Sequence, residues 1–202
     1  MVRTHAGWAA TMPAGPHARW SREGGTMLFA ALAASGQFAA PALASVALAA
    51  FAAVLIWAAT VDAGRRIIPN AAIAAGCAAW FVLLLAAELS GIDVREAAAR
   101  GLASGLLLVA GLLVFSVVFE RMVGRSSMGG GDIKLIAMSG LYLGLSASLA
   151  ALMVSCVLAL AFEAVRTKWH SGLRAETSFA FGPYIAVASC AVAVCELMLA
   201  VL

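Results

Sequence analysis

Residues 126–135 read SSMGGGDIKL, and this stretch separates two long apolar runs of the chain. Three consecutive glycines precede Asp132, which leads directly into the second apolar run. An ionisable residue at the edge of a hydrocarbon-like segment is costly and is by default a functional candidate. Both the fold and the function of the chain can therefore be approached from this stretch.

The composition of the chain is that of a protein surrounded by lipid. Hydrophobic residues make up 64% of the 202 residues and charged residues 11%, whereas soluble domains carry about 25% charged residues. The apolar runs are continuous and do not alternate with polar residues, which favours helices over a β-barrel. The sequence therefore predicts an all-α, polytopic transmembrane helix bundle.

Six apolar runs approach the length of about 20 residues that a transmembrane helix needs. The fourth is the shortest, and only a brief turn separates it from the fifth. The predicted spans are residues 41–61, 71–89, 97–119, 132–145, 147–165 and 179–202.

Lysine and arginine are distributed unequally between the predicted loops. Seven lie in loops 62–70, 120–131 and 166–178, and two lie in loop 90–100. Because positive residues accumulate in cytoplasmic loops, we expect the three basic loops in the cytoplasm and the C-terminus outside. Asp62, at the end of the first span, and Asp132, at the start of the fourth, then both fall at the cytoplasmic face.

The residues before the first span divide into two segments. Residues 1–26 are polar and rich in proline and glycine, which is typical of a disordered tail. Residues 27–40 are apolar but short for a span, at about 21 Å as a helix. They are compatible with a signal peptide, a thin seventh span or an interfacial segment, and Met27 is also a candidate start of the protein. Residues 41–202 form the predicted transmembrane domain.

The residues that flank Asp62 and Asp132 are of types that begin or end helices. Pro69 cannot continue a helix, and Asn70 is a good N-cap for the next span. Residues 129–131 are glycines, which allow close approach of another chain, and Lys134 follows as an interfacial or charge-compensating residue. Residues 181–183, Phe-Gly-Pro, introduce an irregular backbone at the same membrane depth. The sequence therefore predicts three irregular segments on one face of the bundle.

Taken in this order, the motifs resemble those of type IV prepilin peptidases. They are Asp62 followed by Arg-Ile-Ile-Pro-Asn at 66–70, then Gly-Gly-Gly-Asp-Ile-Lys-Leu at 129–135 as a GxGD motif, then Phe-Gly-Pro at 181–183. The resemblance covers about residues 42–202. The cytoplasmic cysteine-bearing domain of the large bifunctional members is not found in this sequence, which resembles the short form that serves tight-adherence (Flp) pili.

The resemblance implies an aspartyl endopeptidase of the bacterial inner membrane. It would remove a short basic leader from type IV or Flp-type prepilins at the cytoplasmic face, without a metal or cofactor. Two carboxylates held close share one proton, so that one can activate water and the other can donate. The implied catalytic residues are Asp62 and Asp132, and the implied supporting residues are Pro69, Asn70, Gly129, Gly130, Gly131, Lys134, Gly182 and Pro183. Expected partners are prepilins, the lipid bilayer and the pilus assembly machinery, with no nucleic acid.

Other classes of protein are less consistent with these residues. A metal-dependent phosphotransferase needs several carboxylates for Mg²⁺, and the predicted cytoplasmic face offers two aspartates. A presenilin-like protease has its Pro-Ala-Leu motif after both aspartates, whereas residues 41–43 precede them. The glycine run is not followed by Lys-Ser/Thr, as a nucleotide loop would be. The four cysteines form no CxxC pair, which disfavours a zinc or disulfide framework. A non-enzymatic transporter or assembly scaffold stays open.

The position of each aspartate on its helix suggests a division of roles. Asp132 is expected at a helix N-terminus, where the dipole stabilises an anion, and Asp62 at a helix C-terminus, where it does not. Asp132 is therefore expected to act as the base and Asp62 as the acid.

Overall fold

The computed structural model describes residues 28–34, 40–124, 128–169 and 180–201, most of which are helical. Residues 1–26, predicted to be disordered, lie outside the described ranges. The helices of the described part are α1 Leu28–Ala34, α2 Ala40–Arg65, α3 Asn70–Leu89, α4 Arg95–Val123, α5 Gly130–Trp169 and α6 Gly182–Val201.

Five of these helices, α2 to α6, are long and apolar enough to cross a membrane. The predicted all-α transmembrane bundle is confirmed, with helix ends shifted by a few residues. The largest extensions are at the C-terminal ends of α2, α4 and α5, where polar and basic residues continue the helix beyond the apolar run.

Helix α5 consists of two limbs that run in opposite directions. Gly144 interrupts it with a non-helical backbone (φ 75°, ψ 179°), a conformation almost restricted to glycine. Near the start of α5, Lys134 bonds Asn70 at the start of α3. Near the end of α5, the ring of Phe162 lies 5.9 Å from that of Tyr184, beside the end of α2. Both contacts are therefore made close to the connection between α2 and α3. A straight helix would separate Lys134 from Phe162 by about 42 Å. The chain therefore reverses at Gly144, as expected for the separate fourth and fifth spans.

The first limb of α5, residues 130–143, packs closely against α4 through glycines. A Cβ atom on Gly101 would lie 2.6 Å from the carbonyl oxygen of Leu141, and one on Gly140 would lie 3.3 Å from the backbone nitrogen of Gly105. Gly101 and Gly105 form a GxxxG pair, which lets transmembrane helices approach at backbone distance. This contact fixes the limb that carries Asp132 at its start.

An aromatic cluster fills the interior of the bundle. Tyr142 is fully buried, and its hydroxyl donates a hydrogen bond of 2.7 Å to the carbonyl oxygen of Gly76 on α3. Its ring lies 4.7 Å from that of Phe51 and 6.2 Å from that of Phe29. Phe29 belongs to α1, whose Leu28, Phe29 and Leu32 are all buried. At about 10 Å in length, α1 is a short helix whose described side chains pack into the core.

Candidate active site

Asp62 is a buried acid in the last turn of α2. It is 5% exposed, and its Oδ2 accepts a hydrogen bond of 2.8 Å from the backbone N–H of Gly182. Gly182 is the first residue of α6, where backbone N–H groups have no partner within the helix. The N-terminus of α6 thus supplies a donor to a carboxylate 120 positions earlier in the chain.

Gly182 has no room for a side chain. A Cβ atom there would lie 2.7 Å from Oδ2 of Asp62 and 3.1 Å from its Cγ. Pro183, in the first turn of α6, lacks an N–H group that the helix would leave unbonded in any case. The Gly-Pro pair therefore begins α6 at contact distance from Asp62.

Asp132 lies at the N-terminal end of its helix, as the third residue of α5, whereas Asp62 lies at a C-terminal end. The side chain of Asp132 is partly exposed. A Cβ atom on Gly129 would lie 3.0 Å from its Oδ2, so the carboxylate lies against the residue before the helix, and it is close enough to Asp62 for the two side chains to interact. The backbone N–H of Asp132 in turn donates to the carbonyl oxygen of Gly129 at 3.0 Å. The carboxylate of Asp132 therefore lies at the start of the limb, near N–H groups that the helix itself leaves without a partner.

The three glycines before Asp132 have different surroundings. A Cβ atom on Gly131 would lie 3.0 Å from Cβ of Ile68, and one on Gly129 would lie 3.0 Å from Oδ2 of Asp132. A Cβ atom on Gly130 would meet nothing within 4 Å. Side chains would therefore be crowded at Gly129 and Gly131 but not at Gly130, which agrees with the pattern GxGD. The contact of Gly131 with Ile68 also joins α5 to the loop that follows Asp62.

That loop, residues 66–69, connects α2 to α3 and corrects one prediction. Asn70 was expected to cap α3, but Pro69 occupies the N-cap position with extended backbone (ψ 130°), and its carbonyl accepts the N–H of Ala72 at 3.0 Å. Asn70 is the first helical residue, so its side chain is free to turn outward. Its Oδ1 accepts a hydrogen bond of 3.0 Å from Nζ of Lys134. Lys134 thus connects the two motifs directly.

The structure brings the predicted site residues to one end of the bundle. The segments that position Asp62 and Asp132 contain or adjoin Pro69, Asn70, Gly129, Gly131, Lys134, Gly182 and Pro183. Gly130 lies in the same run, but a Cβ atom added to it would meet no neighbour within 4 Å. Two carboxylates in this arrangement can carry out general acid and base catalysis on a bound water. Within the described ranges, no group of three or more His, Cys, Asp or Glu side chains is placed to hold a metal ion.

Sequence reasoning did not identify a cavity of about 240 Å³ beside Asp62. It lies between the end of α2, the end of α5 and the start of α6, and Glu163 is one of its lining residues. Glu163 pairs with Arg166 at 3.4 Å. A glutamate and an arginine three positions apart form no known motif, so only the tertiary fold reveals this cavity.

Comparison with known proteins gives one family. The model of the type IV leader peptidase family matches residues 49–163, which is more than half of the chain and includes both Asp62 and Asp132. Searches of curated proteins and of solved structures give no match.

Proposed function

Since the chain belongs to the type IV leader peptidase family, we propose that it is an aspartyl endopeptidase that removes the short basic leader from type IV or Flp-type prepilins. Cleavage would take place at the cytoplasmic face of the bacterial inner membrane. Family membership supports the peptidase class and the leader-bearing substrate. The aspartic mechanism and the kind of pilus are the finer parts of the proposal.

The aspartic mechanism is supported by one observation above the others. Asp62 and Asp132, 70 positions apart, come from the end of α2 and the start of α5 to one end of the bundle, where Asp62 accepts the backbone N–H of Gly182 and Asp132 is close enough to interact with it. Fixed carboxylates close to each other share a proton. One carboxylate deprotonates a water that attacks the scissile carbonyl, and the other protonates the oxyanion and then the leaving amine.

The decisive experiment is co-expression of the full chain with candidate prepilins, followed by the size of the pilin on a gel. Asp62→Asn and Asp132→Asn should each abolish the size shift while the protein still inserts. Because neither carboxylate works alone, the double variant should be no worse than either single one. Asp93→Asn is the matched control, since Asp93 is the third aspartate of the chain and lies exposed in the turn before α4.

The same assay separates the alternatives. Near-normal processing by Asp62→Asn or Asp132→Asn would refute the aspartic mechanism but leave the family assignment intact. Loss of processing with EDTA would instead favour metal-assisted hydrolysis. If Asp62→Asn and Asp132→Asn blocked pilus assembly while leader cleavage continued, a scaffold function would be favoured.

A further inference from the structure

Asp62 and Asp132 belong to two different pairs of helices. Asp62 lies in the last turn of α2, and residues 66–69 join α2 to α3. Asp132 lies at the start of the first limb of α5, which packs closely against α4 through Gly101 and Gly140. The separation of the two carboxylates therefore depends on how the first limb is held against α3.

Side-chain hydrogen bonds hold the first limb to α3 near both of its ends. The buried hydroxyl of Tyr142 donates to the carbonyl oxygen of Gly76 at 2.7 Å, and Nζ of Lys134 donates to Oδ1 of Asn70 at 3.0 Å. The two donors are separated by about 12 Å along the helix. The bond of Tyr142 thus lies deep in the bundle, whereas the bond of Lys134 lies at the end that carries Asp132.

Two contacts of opposite effect set the position of the start of the limb. Gly131 lies against the side chain of Ile68, because a Cβ atom on this glycine would be 3.0 Å from Cβ of Ile68. The limb therefore has little room to move closer to the connection between α2 and α3. The hydrogen bond between Lys134 and Asn70 opposes movement away from that connection. Together the two contacts define one position for the start of the limb.

Lys134 acts on Asp132 through the position of the helix. Residues two positions apart on a helix do not face each other, so the two side chains are not in direct contact across the helix surface. A tilt of the limb by about 5° about Tyr142 would displace Asp132, about 15 Å away along the helix, by on the order of 1 Å. A misplacement of about 1 Å can lower a catalytic rate about 100-fold. A small tilt of the limb is therefore enough to impair two carboxylates that must act together.

We propose that Lys134 is a positioning residue, whose hydrogen bond to Asn70 holds Asp132 at the distance from Asp62 that activation of water requires. The inference rests on the proposed aspartic mechanism. It assigns Lys134 no contact with the substrate. An interfacial anchor or a compensating charge would need no partner on α3, so variants of Asn70 separate these roles from positioning.

The test is kcat and KM for leader removal by the purified full chain, with the prepilin that wild type processes on co-expression. Lys134→Met keeps the length of the side chain without its N–H donors, and Asn70→Leu removes the acceptor but keeps the charge of Lys134. Each should lower kcat at least about tenfold and leave KM within about twofold, because a displaced carboxylate slows the chemical step. The double variant should lose no more than either single one, since all three lack the same bond.

A conservative variant and a second cation provide the controls. Lys134→Arg keeps a donor that can reach the amide oxygen and should retain kcat within about threefold of wild type. Arg121→Met removes an exposed positive charge in the last turn of α4 and should leave kcat within about twofold of wild type.

Hydrogen exchange gives a readout that does not depend on cleavage. The backbone amides of residues 132–136 should exchange at least about tenfold faster in Lys134→Met and in Asn70→Leu, because the start of the limb opens more often. The Tm of both variants should stay close to that of wild type, since both side chains are exposed. A loss of activity then cannot be ascribed to unfolding.

Several outcomes would overturn the role of Lys134. They are a wild-type kcat in Lys134→Met or in Asn70→Leu, additive losses in the double variant, and a raised KM with unchanged kcat, which would make Lys134 a substrate contact. Loss of cleavage in Asp132→Asn together with normal cleavage by Lys134→Met would overturn this role alone. Full activity of Asp132→Asn would instead refute the aspartic mechanism, and the role of Lys134 with it.

Discussion

Replacement of Gly182 by alanine places a methyl group against a proposed catalytic carboxylate. The new Cβ would lie 2.7 Å from Oδ2 of Asp62 and 3.1 Å from its Cβ and Cγ. Non-bonded heavy atoms prefer separations of about 3.5 Å, so Asp62 or the start of α6 must move by up to about 0.8 Å. Asp62 is 5% exposed, and the movement therefore strains the packing around it.

The expected loss can be estimated from the hydrogen bond that this movement disrupts. The N–H of Gly182 and Oδ2 of Asp62 are 2.8 Å apart, and a buried donor or acceptor that loses its partner costs about 1–3 kcal/mol. Since about 1.4 kcal/mol corresponds to a tenfold change in rate, we expect Gly182→Ala to lower kcat/KM for leader cleavage about 10- to 100-fold. Expression and membrane insertion should change little, because alanine is a good residue for the first turn of a helix.

Glycines with open surroundings provide the controls. Gly130→Ala and Gly64→Ala add a methyl group that meets nothing within 4 Å, and both variants should cleave within about twofold of wild type, as surface substitutions usually do. The assay is the initial rate of leader removal from a purified prepilin in detergent, with each variant at equal concentration. Wild-type activity in Gly182→Ala would refute the argument that this glycine positions Asp62. A large loss in Gly130→Ala would show that the glycine run acts through helix formation instead of contact.

Two further predictions concern topology and the core. Reporter fusions after Arg66, Arg95, Arg125, Lys168 and Leu202 should report, in this order, the cytoplasm, the outside, the cytoplasm, the cytoplasm and the outside, because basic loops face the cytoplasm. A cytoplasmic signal at the C-terminus would contradict six spans. Tyr142→Phe removes the hydroxyl that bonds the carbonyl of Gly76 and should lower the free energy of unfolding by about 0.5–1.5 kcal/mol, the range of interhelical hydrogen bonds in membranes. Steric trapping in bicelles would measure this difference, and an unchanged stability would show that the bond contributes nothing.

The helices were predictable from sequence because continuous apolar runs in lipid have one satisfactory backbone conformation. The reversal between the fourth and fifth spans was placed at residues 145–147 and occurs at Gly144. Hydrophobicity determines that a turn exists, whereas the exact residue depends on backbone freedom. The role of α1 was not predictable, because an apolar segment of this length is equally compatible with a core helix and a membrane segment.

The candidate site was predictable as a set of residues but not as a set of contacts. Asn70 has the side chain of an N-cap, yet the preceding Pro69 takes that position and leaves Asn70 to bond Lys134. Local preference describes one helix end at a time, and this bond joins two helices 64 positions apart. The interaction of Asp62 with the N–H of Gly182 is likewise tertiary, since Phe-Gly-Pro by itself indicates only an irregular helix start.

The contact of Asp62 with Gly182 also changes the argument about which aspartate is the base. From sequence, Asp132 alone was expected to benefit from a helix N-terminus, but Asp62 faces the N-terminus of α6 and accepts its first N–H. Each carboxylate therefore lies at a helix N-terminus, and the dipole does not distinguish them. Access to water distinguishes the two carboxylates. Asp132 is partly exposed and Asp62 is buried, so an entering water meets Asp132 first. Asp132 thus remains the expected base, now on grounds of access. Isotope-edited infrared spectroscopy of the resting enzyme would report the two carboxyl groups separately, and a proton held by Asp132 would refute this order.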